Sequence, residues 1–156
     1  NLTVLEDLLL ACQALERTKF VMFRPLSSYR AFLDKSMTLL KEFGLREKRI
    51  ELVKNLSHGD QRLVEVGVAL SLDPILLLLD EPTGGMGPEE TDRMVQFIRT
   101  LSEKQKVTIL LVEHDMSVVF SVSERIVVMA QGTVIADGTP DEIRKNQKVR
   151  EAYLGE

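Results

Sequence analysis

Three short stretches of this chain set reactive side chains beside turns. Leu79-Asp80-Glu81-Pro82 puts two adjacent carboxylates directly after an all-apolar run, Ile75 to Leu79. If that run is a buried parallel strand, its carboxyl end is where ligands gather. There Asp80 can hold Mg²⁺ through water, and Glu81 can take a proton from an attacking water as general base. Solvated loop carboxylates are the plainer account of the same pair. Leu56-Ser57-His58-Gly59-Asp60-Gln61 opens a helix. Ser57 can cap it, and Gly59 leaves the backbone bare, so a phosphate can reach N–H groups at the positive end. A cap alone explains Ser57 but does not call for glycine inside a first turn. Glu113-His114-Asp115 follows a second apolar run, Val107 to Val112. A neutral imidazole there can bond a phosphate oxygen or orient water, or it is simply structural.

The elements that must hold these residues fall into two textures. Residues 1 to about 56 are helical in pattern. Thr3-Val4-Leu5-Glu6 is a capping box, followed by Leu5, Leu8, Leu9, Cys12 and Leu15 at helical spacing. A break is expected at Phe23-Arg24-Pro25-Leu26-Ser27. A second helix is expected from about Ser28 to a C-cap at Gly44, with Phe32, Leu33, Leu39, Leu40 and Phe43 apolar. After Ser57, strand and helix alternate. A helix runs from about Gly59 to Leu72, and Ile75–Leu79 reads as a strand buried on both faces. Pro88 starts a helix that reaches Lys104, and Val107–Val112 is the next strand. A short helix follows from Met116. Arg125–Met129 and Thr133–Ala136 form a hairpin across Gln131-Gly132, and Thr139-Pro140-Asp141-Glu142 opens a capped helix. Buried strands separated by helices make a parallel α/β sheet.

Composition bounds the function. The 156 residues suffice for one domain with a sizeable core, and their 44% hydrophobic and 28% charged content is ordinary for a globular chain. A net charge of −4 without a dense Lys/Arg cluster speaks against a nucleic-acid partner. Cys12 is the single cysteine, which excludes an internal disulfide and fits a reducing compartment. No apolar run approaches the roughly 20 residues that span a bilayer. Any membrane connection is therefore expected to run through a partner protein. The chain opens at Asn1 directly before a helix-start signal, which reads as a cut or processed end.

The order and spacing of these stretches resemble those of ATP-binding-cassette proteins. Leu56 to Gln61 resembles the LSGGQ signature, and Ile75 to Asp80 with Glu81 resembles the Walker B strand and its catalytic glutamate. Thr83-Gly84-Gly85-Met86-Gly87-Pro88 stands at the D-loop position and His114 at that of the switch histidine. The nearer resemblance is to ATPase subunits of branched-chain amino-acid uptake systems. It is carried by Glu81-Pro82-Thr83, Gly85 to Thr91, Val112 to Met116, Glu151-Ala152-Tyr153-Leu154-Gly155 and the long helical N-terminal stretch. Amide and urea importers share much of this pattern. His58, Asp60 before Gln61, and Gly87 in place of the D-loop aspartate depart from it. No G-x-x-x-x-G-K-[ST] loop is present, since none of the nine glycines precedes a lysine. In the family that loop, the adenine-stacking aromatic and the Q-loop glutamine would lie upstream of Asn1.

The resemblance implies an α/β fold: a partial P-loop NTPase-type parallel sheet with flanking helices, plus an α-helical subdomain. Residues 1–56 would be the helical, transporter-coupling subdomain and 57–156 the C-terminal part of the ATPase core. It also implies the nucleotide-binding subunit of an importer, with branched-chain amino acids as solute. Two subunits would sandwich two ATP molecules with Mg²⁺. Each site would pair one subunit's P-loop, Asp80, Glu81 and His114 with the other's Ser57, Gly59 and Gln61. The implied partners are a second ATPase subunit, identical or not, and transmembrane permease subunits. These would hold the protein on the cytoplasmic face of the cell membrane without inserting it. A cassette ATPase of DNA repair or translation is the alternative, although the coiled-coil insertions or basic tails of such proteins are missing here. A naturally short interaction module is another, against which retention of Glu81 and His114 argues. In the family a further strand lies between those matching Val107–Val112 and Arg125–Met129. Without it, those two are expected to pair directly, or else to self-associate, most simply as a symmetric dimer.

The 156-residue chain alone is expected not to hydrolyse ATP, because the glycine-rich loop and its lysine supply most phosphate contacts. Steady phosphate release that Glu81→Gln abolishes, in material free of other ATPases, would overturn this.

Overall fold

Residues 1–14, 30–105 and 107–154 are described by the structure, a computed structural model. The break expected at Phe23–Ser27 and the helix start expected near Ser28 lie outside them. Two compact units emerge, Asn1–Val112 and Glu113–Glu156.

In the first unit, α1 (Val4–Ala14) starts with the expected capping box. The Thr3 amide donates to Glu6 Oε2 at 2.8 Å, and the Glu6 amide donates to Thr3 Oγ1 at 3.3 Å. Two further N–H groups of the first turn, those of Val4 and Leu5, donate to the carbonyls of Glu51 and Arg49, both at 3.0 Å. The backbone just ahead of Ser57 thus serves as partner to donors that a helix start leaves unsatisfied. α2 (Arg30–Glu42) ends at Gly44 with φ of +69°, as expected. α3 (His58–Leu70) brings Gly67 so close to Phe43 that a Cβ there would stand 2.4 Å from the ring. Phe43 in turn meets Phe97 edge-on at 4.6 Å, on α4 (Pro88–Gln105). Val4, Leu8, Leu40, Leu63, Val64, Met94 and Leu101 complete this helical core. Packing of α1 against α3 runs across the border that the sequence reading drew after residue 56.

β1 (Leu76–Asp80) and β2 (Thr108–Val112) pair in parallel, from Leu76 opposite Thr108 to Asp80 opposite Val112. The expectation of burial on both faces is corrected here. Leu77 is 4% exposed but Leu78 is 65% exposed, and Leu76, Leu110 and Val112 are also exposed. An apolar run reports that a strand suits two covers; whether both covers exist is decided by the rest of the fold.

The second unit starts with α5 (Met116–Val122), capped by Asp115, whose Oδ1 accepts from the Ser117 amide at 2.8 Å. β3 (Ile126–Ala130) and β4 (Thr133–Gly138) form the expected hairpin. Gln131 and Gly132, at φ of +48° and +76°, take the left-handed pair that matches strand twist in a two-residue turn. α6 (Pro140–Lys145) carries the full capping box of Thr139 and Glu142. A three-residue helical turn, α7 (Gln147–Val149), closes a small core of Ile126, Val128, Ile143 and Val149.

The strands form two separate two-stranded sheets, β1 with β2 and β3 with β4. The direct pairing expected between residues 107–112 and 125–129 is therefore not formed among the described residues. Each strand keeps the neighbour that lies within its own compact unit.

The two faces of β1 should answer differently to substitution. Leu77→Ala is expected to cost about 2–5 kcal/mol, as large-to-small changes in a core do. Leu78→Thr should stay within about 0.5 kcal/mol. Urea unfolding of both variants checks this, and comparable losses would mean that Leu78 is covered after all.

Candidate functional site

The chain leaves β1 at Asp80, which is exposed, and turns sharply at Glu81. Glu81 has φ of +43°, in the left-handed region that a residue with a Cβ occupies at a cost of about 1–3 kcal/mol. Backbone bonds hold it there. Its N–H donates to the Val112 carbonyl at 2.9 Å, adding a rung to the ladder, and its carbonyl accepts from Gly84 at 3.0 Å. Met86 N–H to Thr83 O at 3.1 Å and Thr91 N–H to Gly87 O at 2.9 Å carry the turn into α4. Among the described residues no cluster of three or more His, Cys, Asp or Glu could hold a metal. Asp80 offers one carboxylate, which fits Mg²⁺, an ion that keeps several waters and takes phosphate oxygens rather than a full protein cage.

The second predicted stretch docks onto this turn. Ser57 is the N-cap of α3, its Oγ accepting from the Asp60 amide at 3.3 Å. The same hydroxyl donates to Glu90 Oε1 at 2.8 Å, while Glu90 Oε2 accepts from the Gly87 amide at 3.3 Å. Those two bonds, the Ser57 one foremost, hold the Glu90 carboxyl below the usual range. Gly59 is buried beneath this carboxylate: a Cβ at residue 59 would lie 2.6 Å from Glu90 Cδ. His58 Nε2 lies 3.2 Å from the Gly84 carbonyl, an acceptor, so Nε2 carries the proton there. Gln61 turns back on its own chain, its Nε2 donating to the Leu56 carbonyl at 3.0 Å. Ser57, Gly59 and Gln61 are therefore brought together at one helix start, beside the loop that follows Asp80 and Glu81.

Beneath that helix start lies Asp60, 1% exposed. Lys48 Nζ meets its Oδ2 at 2.5 Å and Arg93 its Oδ1 at 3.1 Å, tying α3 to the preceding segment and to α4. Sequence reasoning saw Asp60 only as a departure from a motif and gave Glu90 no partner outside its own helix. Their partners lie 12 and 33 residues away, and no local pattern announces such pairs.

His114 belongs to the second unit, with its side chain 73% exposed. Its Nδ1 stands 3.9 Å from Glu113 Oε2, too far for a hydrogen bond. Glu113 Oε2 instead accepts from the His114 amide at 3.1 Å, and the Glu113 side chain is almost wholly covered, which sequence reasoning did not anticipate.

Asp60→Asn should destabilise the chain by about 1–3 kcal/mol, since the two cations are half exposed and can turn to water. Replacing Lys48 and Arg93 together by methionine should cost more, about 3–5 kcal/mol, because it strands the buried carboxylate. Urea unfolding ranks the two variants, and the reverse order would show that Asp60 does not depend on its cations.

Residues 2–84 match the family described as ABC transporter, and residues 133–156 match the branched-chain amino acid ATP-binding cassette transporter family. The high-affinity branched-chain amino acid transport ATP-binding protein LivG of Salmonella typhimurium is 41% identical over 163 residues, covering 100% of this chain and 63% of that protein. BraF of Pseudomonas aeruginosa is 39% identical with the same coverage, and a relative in Archaeoglobus fulgidus 36% identical over 99% of this chain and 61% of its own length. The chain thus spans less than two thirds of these relatives. A solved ATP-binding cassette of an ABC transporter superposes with a TM-score of 0.80 at 26% identity, over 98% of this chain and 63% of that one. Its ADP conformation gives a TM-score of 0.77 at 28% identity, over 99% and 63%. The family match extends over more than half of the sequence and agrees with the turns just described, so the chain belongs to the ABC transporter family and has the α/β fold of its P-loop-type ATPase domains.

Proposed function

We propose that this chain is part of the nucleotide-binding subunit of an importer that couples ATP binding and hydrolysis to uptake of branched-chain amino acids. The observation that carries the reading is the Asp80-Glu81 turn, strained at Glu81 and docked against the Ser57–Gly59 helix start. The curated relatives that match whole segments of it are branched-chain amino acid transport ATP-binding proteins, which supports the solute class.

In this reading residues 57–156 are the C-terminal part of the ATPase core and residues 1–56 the helical subdomain that meets the permease. When bound, Mg²⁺ and ATP supply a polarised terminal phosphoryl group. Asp80 would hold the metal through its water shell, Glu81 would accept the proton of the attacking water at its carboxylate, and His114 would orient that water or a phosphate oxygen. Ser57, Gly59 and Gln61 would face the nucleotide of a second ATPase subunit. Permease subunits, rather than a segment of this chain, hold the assembly at the cytoplasmic face of the membrane. No helix of the described residues is long and apolar enough to cross a bilayer.

In an intact subunit, Glu81→Gln should lower turnover roughly 10²–10⁴-fold, the usual worth of a positioned general base. ATP binding should persist, since the amide keeps the shape of the carboxyl. Measuring turnover and binding on one preparation checks this. Loss of both together would assign Glu81 to the metal or to the fold.

A further inference from the structure

The Ser57 hydroxyl has one proton to give and two lone pairs. It accepts from the Asp60 amide and gives that proton to Glu90 Oε1 at 2.8 Å. A phosphate oxygen that took the same proton would have to do so in place of Glu90. The backbone tells the same story. Gly59 is bare in sequence but not in space, because Glu90 lies over it, with Cδ, Oε1 and Cβ all within 3 Å of where a Cβ on Gly59 would stand. A cap for α4 requires only one carboxylate oxygen on Gly87, which Oε2 supplies. The second oxygen reaches 33 residues back to Ser57, which capping does not demand.

We propose that Glu90 is an internal occupant of the phosphate place at the Ser57–Gly59 turn, and that an incoming phosphate binds there by displacing it. This rests on the reading of that turn as a phosphate-binding element. An anion belongs at the positive end of α3, and the chain provides one of its own. The side chain has somewhere to go. Arg93 lies three residues further along α4, close enough that its charge already acts on Glu90, and (i, i+3) pairs of opposite sign attract on a helix surface. Glu90 would therefore set how strongly the turn must be engaged before it closes on a nucleotide. It sits on the helix that follows the Glu81 loop, so the two motifs of one subunit would share a single latch.

The test uses the 156-residue chain and inorganic triphosphate as probe, followed by amide NMR at Ser57, Gly59 and Asp60. Glu90→Gln keeps a carbonyl oxygen for the Gly87 amide and so keeps the cap, but removes the charge that competes for the site. It should bind triphosphate about three- to tenfold more tightly than the parent, because the one amide oxygen is used on Gly87, the NH2 group left beside Ser57 does not take the hydroxyl proton, and the neutral side chain no longer repels the probe. Adding Ser57→Ala to Glu90→Gln should take that gain away. Glu90→Ala should bind at least as tightly as Glu90→Gln if it folds, and Glu90→Gln decides the matter if it does not. Equal affinity of parent and Glu90→Gln, with both shifting these amides, would overturn the displacement while leaving the phosphate-binding reading in place. Triphosphate that moves none of these amides in either protein would overturn both.

Discussion

The positive end of α3 is the point on which the first unit turns. Four groups from three segments converge on it: Ser57 as cap, Glu90 from α4, Asp60 within the helix, and Lys48 from the segment before it. Ser57, Asp60 and Glu90 are drawn by the same physics, a helix start with unsatisfied N–H groups and a partial positive charge, whereas Lys48, a cation, is drawn by the Asp60 carboxylate. Asp60 lies one turn deep and is buried, so its charge needs partners, and Lys48 and Arg93 provide them from opposite sides. The result is a helix start fixed in place by groups that are themselves fixed elsewhere. The stretch proposed to meet a phosphate is thereby built on α3 and α4 rather than on a free loop.

The residues whose role is local were the legible ones. Thr3 and Glu6, Thr139 and Glu142, Gly44 and the Gln131-Gly132 turn all act within four residues of themselves, and each stands where its sequence pattern put it. The parallel pairing of β1 with β2 was legible too, since apolar runs separated by a long helix leave few other arrangements. What escaped was set by distance. Leu78 and Leu77 look alike in the sequence, yet one is exposed and the other buried, because burial belongs to the neighbours and not to the residue. Glu90 and Glu89 look alike as well. Only the fold distinguishes the one that reaches Ser57, and a glycine read as open to a phosphate lies under a side chain from another helix.

Three described residues other than glycine have a positive φ: Asp73, Glu81 and Gln131. Two of them have ordinary reasons. Asp73 turns the chain out of α3, its amide closing on Leu70 at 3.0 Å, and its carboxylate pairs with Lys35 at 2.7 Å. Gln131 supplies half of a hairpin turn that demands the left-handed pair. Glu81 is neither a helix end nor a hairpin corner. It comes directly after a strand, in a turn that glycine would enter at lower cost. The bonds to Val112 and Gly84 explain how the strain is held, since both would lengthen if the residue relaxed. They do not explain why a side chain is placed there. Glycine would satisfy both bonds, because they use only the backbone. The cost of the left-handed backbone is therefore borne for the carboxylate, and that is the physical ground for treating Glu81 as more than a loop residue.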